Sequence, residues 1–180
     1  SLDRAEYVRS AFRAIDFLQE RLVSGGRLLA TYKDGRARFP AYLDDYAFLL
    51  DGLLEALQTK WRTQDLTFAI SLADTLLECF EDRDAGGFYF TAHDHEQLIT
   101  RPKSFADEAL PAGNAVAARA LTRLGLLLGE TRYLDAAART LRAGWEPIRQ
   151  YPHVHAALLV ALEEHLDAPE IVVVRGVASE

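Results

Sequence analysis

The chain has a single cysteine, Cys79, and no methionine among its 180 residues. One thiol excludes an internal disulfide, a cysteine zinc site and a CxxC redox pair, and it suits a reducing, cytoplasmic setting. Basic charge is also short: 20 Lys and Arg stand against 27 Asp and Glu, for a net charge of −7 and a pI near 5.3. Phosphate backbones need a basic patch, and none stands out. Arg4, Arg9, Arg13 and Arg21 are spread around one helix among Glu6, Asp16 and Glu20, so no nucleic-acid partner is expected. No apolar run is long enough to span a bilayer, and no signal peptide opens the chain, so no membrane association is expected. With Met missing even from position 1, the sequence reads as a piece of a longer protein.

What the chain has in abundance is apolar helix. Hydrophobic residues make up 49 % and charged ones 26 %, the make-up of one globular domain. The stretch 41–58, AYLDDYAFLLDGLLEALQ, is apolar on almost every side, and a helix hydrophobic all round is buried all round. Its charges, Asp44, Asp45, Asp51 and Glu55, are all acidic. Two of them stand together at its start, where unpaired backbone N–H groups favour carboxylates.

Around this stretch the rest falls into place. Residues 4–21 carry Tyr7, Val8, Phe12, Ile15 and Leu18 at helical spacing, and Ser24-Gly25-Gly26 stops that helix. Residues 28–32 read as a short extended piece, and 33–38 as a polar loop. A third helix is expected within 61–81, then a turn at 82–87 and a β-hairpin joining 88–91 to 97–100. A second long loop, 101–108, leads to a helix at 114–128 rich in alanine. An amphipathic helix follows at 133–145, then a sixth opened by Pro152; 171–174 reads as a final buried strand.

The helices repeat. Ala47, Leu50, Leu53 and Ala56 align with Ala115, Ala118, Leu121 and Leu124 by one constant offset, which also lays Leu66 and Ala69 on Leu134 and Ala137. Each unit is an apolar helix approached through a long loop, a short turn, then an amphipathic helix. One such hairpin cannot bury its own face, so hairpins stack. The second, fourth and sixth helices become an inner layer and the first, third and fifth an outer one. The expected fold is all-α, a partial α/α toroid with a small β-hairpin insertion, in one domain over residues 1–180.

Several blocks, in this order, carry a resemblance: LDDYAFLLDGLLEA, GGFYFT, RPKSFADEALPAGNAVAARALTRL, the helix after ETRYLDAA, and PEIVVVRG. Together they resemble the C-terminal region of the YyaL-like, spermatogenesis-associated thioredoxin-like proteins, over Ala30 to Gly176. Members of that family join an N-terminal thioredoxin-like domain to an α/α toroid similar to that of N-acylglucosamine 2-epimerases and six-hairpin glycosidases. The resemblance implies that this chain lacks the thioredoxin-like domain and the first part of the toroid. It speaks to architecture more than to activity.

If the inner helices all start on one rim, the residues on their approaches converge there: Tyr32, Lys33 and Arg36; Asp44, Asp45 and Tyr46; Lys103, Asp107 and Asn114; His153 and His155. Carboxylates bond hydroxyls, rings stack on sugar faces and an acid/base pair moves a proton. The set therefore suits a sugar or polyol ligand and epimerase-like or glycosidase-like chemistry. Asp45, Asp107 and His155 are the candidate catalytic groups, since adjacent Asp44 and Asp45 cannot both aim at one point across a cleft. Tyr32, Lys33, Arg36, Asp44, Tyr46, Lys103 and Asn114 are the candidate substrate contacts. Structural roles compete for many of them: Asp44 and Asp45 as helix caps, Asn114 as an N-cap, and Lys103 with Asp107 as a loop-tethering ion pair. His153 and His155 are spaced wrongly for a shared metal, His93-Asp94-His95-Glu96 fills a turn, and 82–87 lacks the later glutamate of a calcium loop. Neither metal nor other cofactor is expected. The rival reading is a non-catalytic scaffold for a thioredoxin-like domain or a protein, with the apolar edges of an incomplete ring pairing two copies into a homodimer.

Overall fold

The structure, a computed structural model, describes residues 4–95 and 99–173. Helix α1 (Ala5–Arg21) leads into strands β1 (Val23–Ser24), β2 (Arg27–Lys33) and β3 (Arg36–Pro40). Then come α2 (Leu43–Thr59) and α3 (Thr63–Thr75), the latter running on as a π-helical turn over Leu76–Phe80. After a long loop follow α4 (Gly113–Leu128), α5 (Thr131–Gln150), a short turn at Pro152–Val154 and α6 (Ala156–Leu166).

Helix α4 is the axis. Ala117, Ala118, Ala120, Leu121 and Leu124 are fully buried. The small alanine side chains let α2, α5 and α6 all pack closely against α4. Leu50 and Leu53 of α2 and Leu158 and Ala161 of α6 are buried as completely, so the three apolar helices form the inner layer of an α/α arc. The repeat shows in charge as well as in packing. Asp51 of α2 accepts from Arg119 of α4 at 2.5 Å, and Glu55 from Arg123 at 2.6 Å, each pair 68 positions apart. Equivalent positions of successive units thus meet across the inner layer, and Arg123 also forks onto Glu164 of α6 at 2.7 Å.

The outer helix α1 is pinned through a carboxylate. Asp65, fully buried near the start of α3, accepts from Arg62 through both oxygens at 2.6 Å and from Gln19 of α1 at 3.0 Å. Arg62 reaches Asp16 of α1 at 2.6 Å as well. A carboxylate out of water is tolerable only with such partners.

The small β element is present at residues 23–40 rather than at 88–100, and the extended piece expected at 28–32 lies within β2. β1, β2 and β3 form an antiparallel sheet in that order, and the expected polar loop at 33–38 is the tip of a hairpin with Lys33 opposite Arg36. Asp34 and Gly35 turn it with φ of 52° and 75°, the left-handed pair for which Asp-Gly is a strong signal. The hairpin expected at 88–100 is not formed over its described residues. There Phe88 makes a single bridge to Glu81 and is buried as cover for the core; Gln97 and Leu98 lie outside the described residues. Residues 171–173 are not a buried strand either. They are exposed, with Ile171 and Val172 lying near Leu54, Gln58 and Leu127 at the far ends of α2 and α4; Val174 lies outside the described residues. Among the described residues, no helix is long and apolar enough to cross a membrane.

Candidate functional site

The three inner helices begin on the same side, and two contacts show it. Asp107, in the loop before α4, accepts the N–H of Ala112 at 2.8 Å through one oxygen and the N–H of Ala157, in the first turn of α6, at 2.9 Å through the other. It thereby ties two helix starts together. At the second residue of α2, Asp44 rests against Gly113, the first residue of α4, so closely that a Cβ at 113 would intrude on Asp44 Oδ1.

Two concavities open along this rim. One, of about 330 Å³, lies between the starts of α2 and α4, walled by Asp44, Phe90, Pro102, Glu108, Leu110 and Gly113. The other, of about 430 Å³, lies between α4 and α6, walled by Glu108, Leu110, Val116, Arg119, Ala156 and Val160. Residues 108–111 belong to both.

The two adjacent carboxylates of α2 part company here. Asp45 turns back and accepts the N–H of Tyr42 at 2.8 Å, closing the helix start. Asp44 accepts no hydrogen bond from the described residues and faces the first cavity. Partial burial holds its proton above the usual carboxylate range, and the charges of Asp45 and Glu108 push the same way. Beside it, the Phe90 ring stacks on Tyr42 with centroids 4.8 Å apart and 12° between planes, and forms part of the cavity wall. Glu108, Phe90 and Arg119 escape the sequence reading. For Glu108 the usable signal was a second carboxylate, next to Asp107, on a long loop carried by a rigid scaffold.

Of the sequence-derived candidates, Asp44, Asp107 and Asn114 line these cavities, while Tyr32, Lys33, Arg36, Asp45, Tyr46, Lys103, His153 and His155 line neither. Asn114 does not cap α4, which starts one residue earlier behind Ala112. Its buried carboxamide accepts the N–H of Phe88 at 2.6 Å and donates to the carbonyls of Phe88 and Ser104, both at 2.9 Å, so it fastens two loops to the helix. Lys103 pairs not with Asp107 but with Asp82, at 2.7 Å, and donates to the Gly86 carbonyl at 2.8 Å. The N–H of Ala85, followed by Lys103 and the Tyr89 hydroxyl, holds the Asp82 carboxyl far below its ordinary range. Tyr46 is core: its hydroxyl accepts the Leu28 N–H at 2.9 Å and its ring packs on Phe80. Tyr32 stands edge-on to Phe17, with Lys33 and Arg36 at the hairpin tip. His155 is buried, with Nδ1 2.7 Å from the Tyr151 carbonyl, and His153 lies against the Tyr151 ring. Asp94 is bound by both arms of Arg27, at 2.8 and 3.1 Å, which draws its carboxyl below the ordinary range; Glu96 lies outside the described residues.

No family model matches the chain. Among curated proteins it is 29 % identical over 186 residues to spermatogenesis-associated protein 20 of Rattus norvegicus, covering 97 % of this chain and 24 % of that protein. It is 31 % identical over 163 residues to the Mus musculus protein of the same name, covering 84 % and 21 %. The chain thus spans about a quarter of the length of the curated relatives it matches. Among solved structures it superposes on a sugar epimerase from a ruminal bacterium with a TM-score of 0.62 at 16 % identity, over 77 % of this chain and 36 % of that one. Cellobiose 2-epimerase from Spirochaeta thermophila gives 0.61 at 20 % identity, over 79 % and 38 %. Unsaturated glucuronyl hydrolase from a Bacillus species gives 0.60 at 20 %, over 79 % and 41 %. The chain is therefore homologous to one segment of the spermatogenesis-associated protein 20 proteins and folds as part of an α/α toroid.

Proposed function

We propose that the first cavity binds a carbohydrate or related polyol, with Asp44 giving and taking the proton and Glu108 as the second carboxylate. The observation that carries this is the state of Asp44: a half-buried carboxyl with no donor among the described residues, its proton held above the ordinary range, on a cavity wall. By contrast, the carboxylates of Asp45, Asp65, Asp82 and Asp107 are each engaged in hydrogen bonds. A carboxyl that keeps its proton into a higher range is suited to acid/base work on a hydroxyl, a glycosidic oxygen or a carbon beside a carbonyl, the repertoire of epimerase-like and glycosidase-like chemistry. The ring of Phe90 offers a sugar's C–H face a platform, and about 330 Å³ falls within the range of small-molecule sites. The structural neighbours bear the names of sugar epimerases and a glucuronyl hydrolase. Fold likeness assigns no activity by itself, so the weight rests on Asp44.

Titration of the chain with a panel of monosaccharides and disaccharides, followed by NMR and calorimetry, tests this. At least one sugar is expected to bind and to shift signals from residues 42–46 and 106–114. Asp44→Asn is expected to weaken that binding tenfold or more, about 1.4 kcal/mol. No binding across the panel, or equal binding to Asp44→Asn, overturns the proposal.

A second reading, in which this region is a scaffold within a longer protein that also carries a thioredoxin-like domain, has one observation in its favour. Helix α6 leaves Leu159, Val160 and Leu166 exposed, with Trp145 of α5 exposed as well. On that reading the chain works in the cytoplasm, and in isolation two copies pair through these residues. Light scattering that finds a monomer at high concentration counts against the pairing.

A further inference from the structure

We infer that a basic cavity between α1 and the link from α2 to α3 binds the phosphate group of a small soluble molecule, at a site separate from the rim cavities. It has a volume of about 380 Å³. Arg9, Arg13, Lys60 and Arg62 stand on its walls, with Val8 and Phe12 as its apolar part. Along the sequence these cations look scattered, in a chain of net charge −7. The fold gathers them. Arg9 and Arg13 lie one turn apart on α1, while Lys60 and Arg62 come from the link between α2 and α3. Lys60 follows the last turn of α2, roughly 24 Å from Asp44 by helical rise, so the cavity sits at the other end of that helix.

One of the four cations is a fixed part of the wall. Arg62 gives Nε and Nη2 to Asp65 and Nη2 to Asp16, each at 2.6 Å, and its guanidinium lies 4.6 Å from the centre of the Phe12 ring. These bonds hold α1 against α3, so the cavity is formed before any ligand arrives. They leave Nη1 of Arg62 without an acceptor among the described residues. Arg9, Arg13 and Lys60 differ: among the described residues none has a carboxylate within ion-pair distance, although Asp16 stands on the same wall. Like charges gathered around one concavity repel each other, and a bound anion relieves that repulsion.

Charge and donor count select the anion. Asp16 and Asp65 offset two of the four cations and leave about +2 at the cavity, against about −1.5 to −2 on a phosphate monoester at neutral pH. Its three terminal oxygens can accept from Arg9, Arg13 and Lys60 together. A lone carboxylate carries less charge and fewer oxygens, so it leaves donors unused. The arginine forks match phosphate geometry, and Val8 with Phe12 offers contact to a small organic body.

Calorimetry with glycerol 3-phosphate, glycerate and glycerol tests this, with phosphatidylcholine vesicles containing phosphatidate as a further arm. Glycerol 3-phosphate is expected to bind saturably, about tenfold or more tightly than glycerate, while glycerol does not bind. Its NMR shifts should centre on residues 8–16 and 60–62. Arg9→Gln with Arg13→Gln, both at exposed positions of α1, should weaken the binding about tenfold or more and leave the circular dichroism spectrum unchanged. Arg38→Gln with Arg142→Gln removes the same charge from exposed positions elsewhere and should change the affinity less than about twofold. No binding of glycerol 3-phosphate, equal affinity for glycerate, equal weakening by the two double variants, or binding to the vesicles alone overturns the proposal. None of these outcomes bears on the carbohydrate reading, which concerns the opposite end of α2.

Discussion

Gly113 leaves empty the space that the Asp44 carboxylate fills: a Cβ at the first residue of α4 would fall inside the van der Waals shell of Asp44 Oδ1 and close to the Leu43 side chain. Two helix starts approach this closely only because one of them carries no side chain. Gly113→Ala must therefore displace Asp44 or part α2 from α4. Overpacking of this kind costs about 1–3 kcal/mol, which chemical denaturation will read. The double variant Gly113→Ala with Asp44→Gly is expected to recover most of the stability and none of the sugar binding. Additive losses in the cycle would show that the two residues do not share that space.

Asp44 should also make the folded state pay for its position. Its folded pKa lies above the unfolded value, so between the two the folded chain binds more protons. Stability contributed by this group is then greatest below the ordinary carboxylate range and falls as pH rises through the raised pKa. Asp44→Asn removes the ionisation. It should raise the melting temperature by up to about 2 °C at neutral pH, and the gain should vanish in acid. A variant less stable than the parent at pH 7 would show that Asp44 holds the fold together.

The inner layer was legible because burial on every side demands apolar residues on every side, and 41–58 and 114–128 meet that demand in register. The offset extends to charge, since Asp51 and Glu55 meet Arg119 and Arg123 at the same separation of 68. The division of labour between Asp44 and Asp45 was not legible. It turns on Tyr42 standing just before the helix, which puts Asp45 where it can reach back to the Tyr42 N–H and aims Asp44 at α4. A shift of one residue would exchange them, and no pattern in the sequence resolves a helix start that finely. The Asp34-Gly35 turn was readable, but Lys33, Arg36 and Arg38 around it lack the apolar alternation of a half-buried strand. Phe88, Tyr89 and Phe90 misled in the opposite sense. They have strand-like composition, yet Phe88 packs into the helical core under the grip of Asn114, a partner 26 positions away.

Asp107 joins α4 to α6 through both oxygens, at 2.8 and 2.9 Å. Asparagine keeps one acceptor and places an N–H₂ against the other backbone donor, so Asp107→Asn should cost about 1–3 kcal/mol. Hydrogen exchange should show the loss in the first turn of α6 and in 108–111, because the shared wall loses one of its two anchors. If protection falls equally across all six helices, Asp107 serves global stability and not the rim.

Acid should loosen the loop knot at Asp82 before it unfolds the helices. Asp82 accepts from the N–H of Ala85 at 3.0 Å, the Tyr89 hydroxyl at 2.9 Å and Lys103 at 2.7 Å. These bonds hold its folded pKa well below the unfolded value. The stability they contribute is fully present above the ordinary carboxylate range and is lost as pH falls through the depressed pKa. Lys103→Met deletes the cation that pairs with Asp82 while the N–H of Ala85 stays. It should cost about 2 kcal/mol at neutral pH, for a pair mostly shielded from water, and the difference from the parent should shrink steadily on acidification. A constant difference down to strong acid would mean that Lys103 acts through its contact with the Gly86 carbonyl and its packing over the Tyr89 ring, 5.3 Å from the ring centre, rather than through the carboxylate.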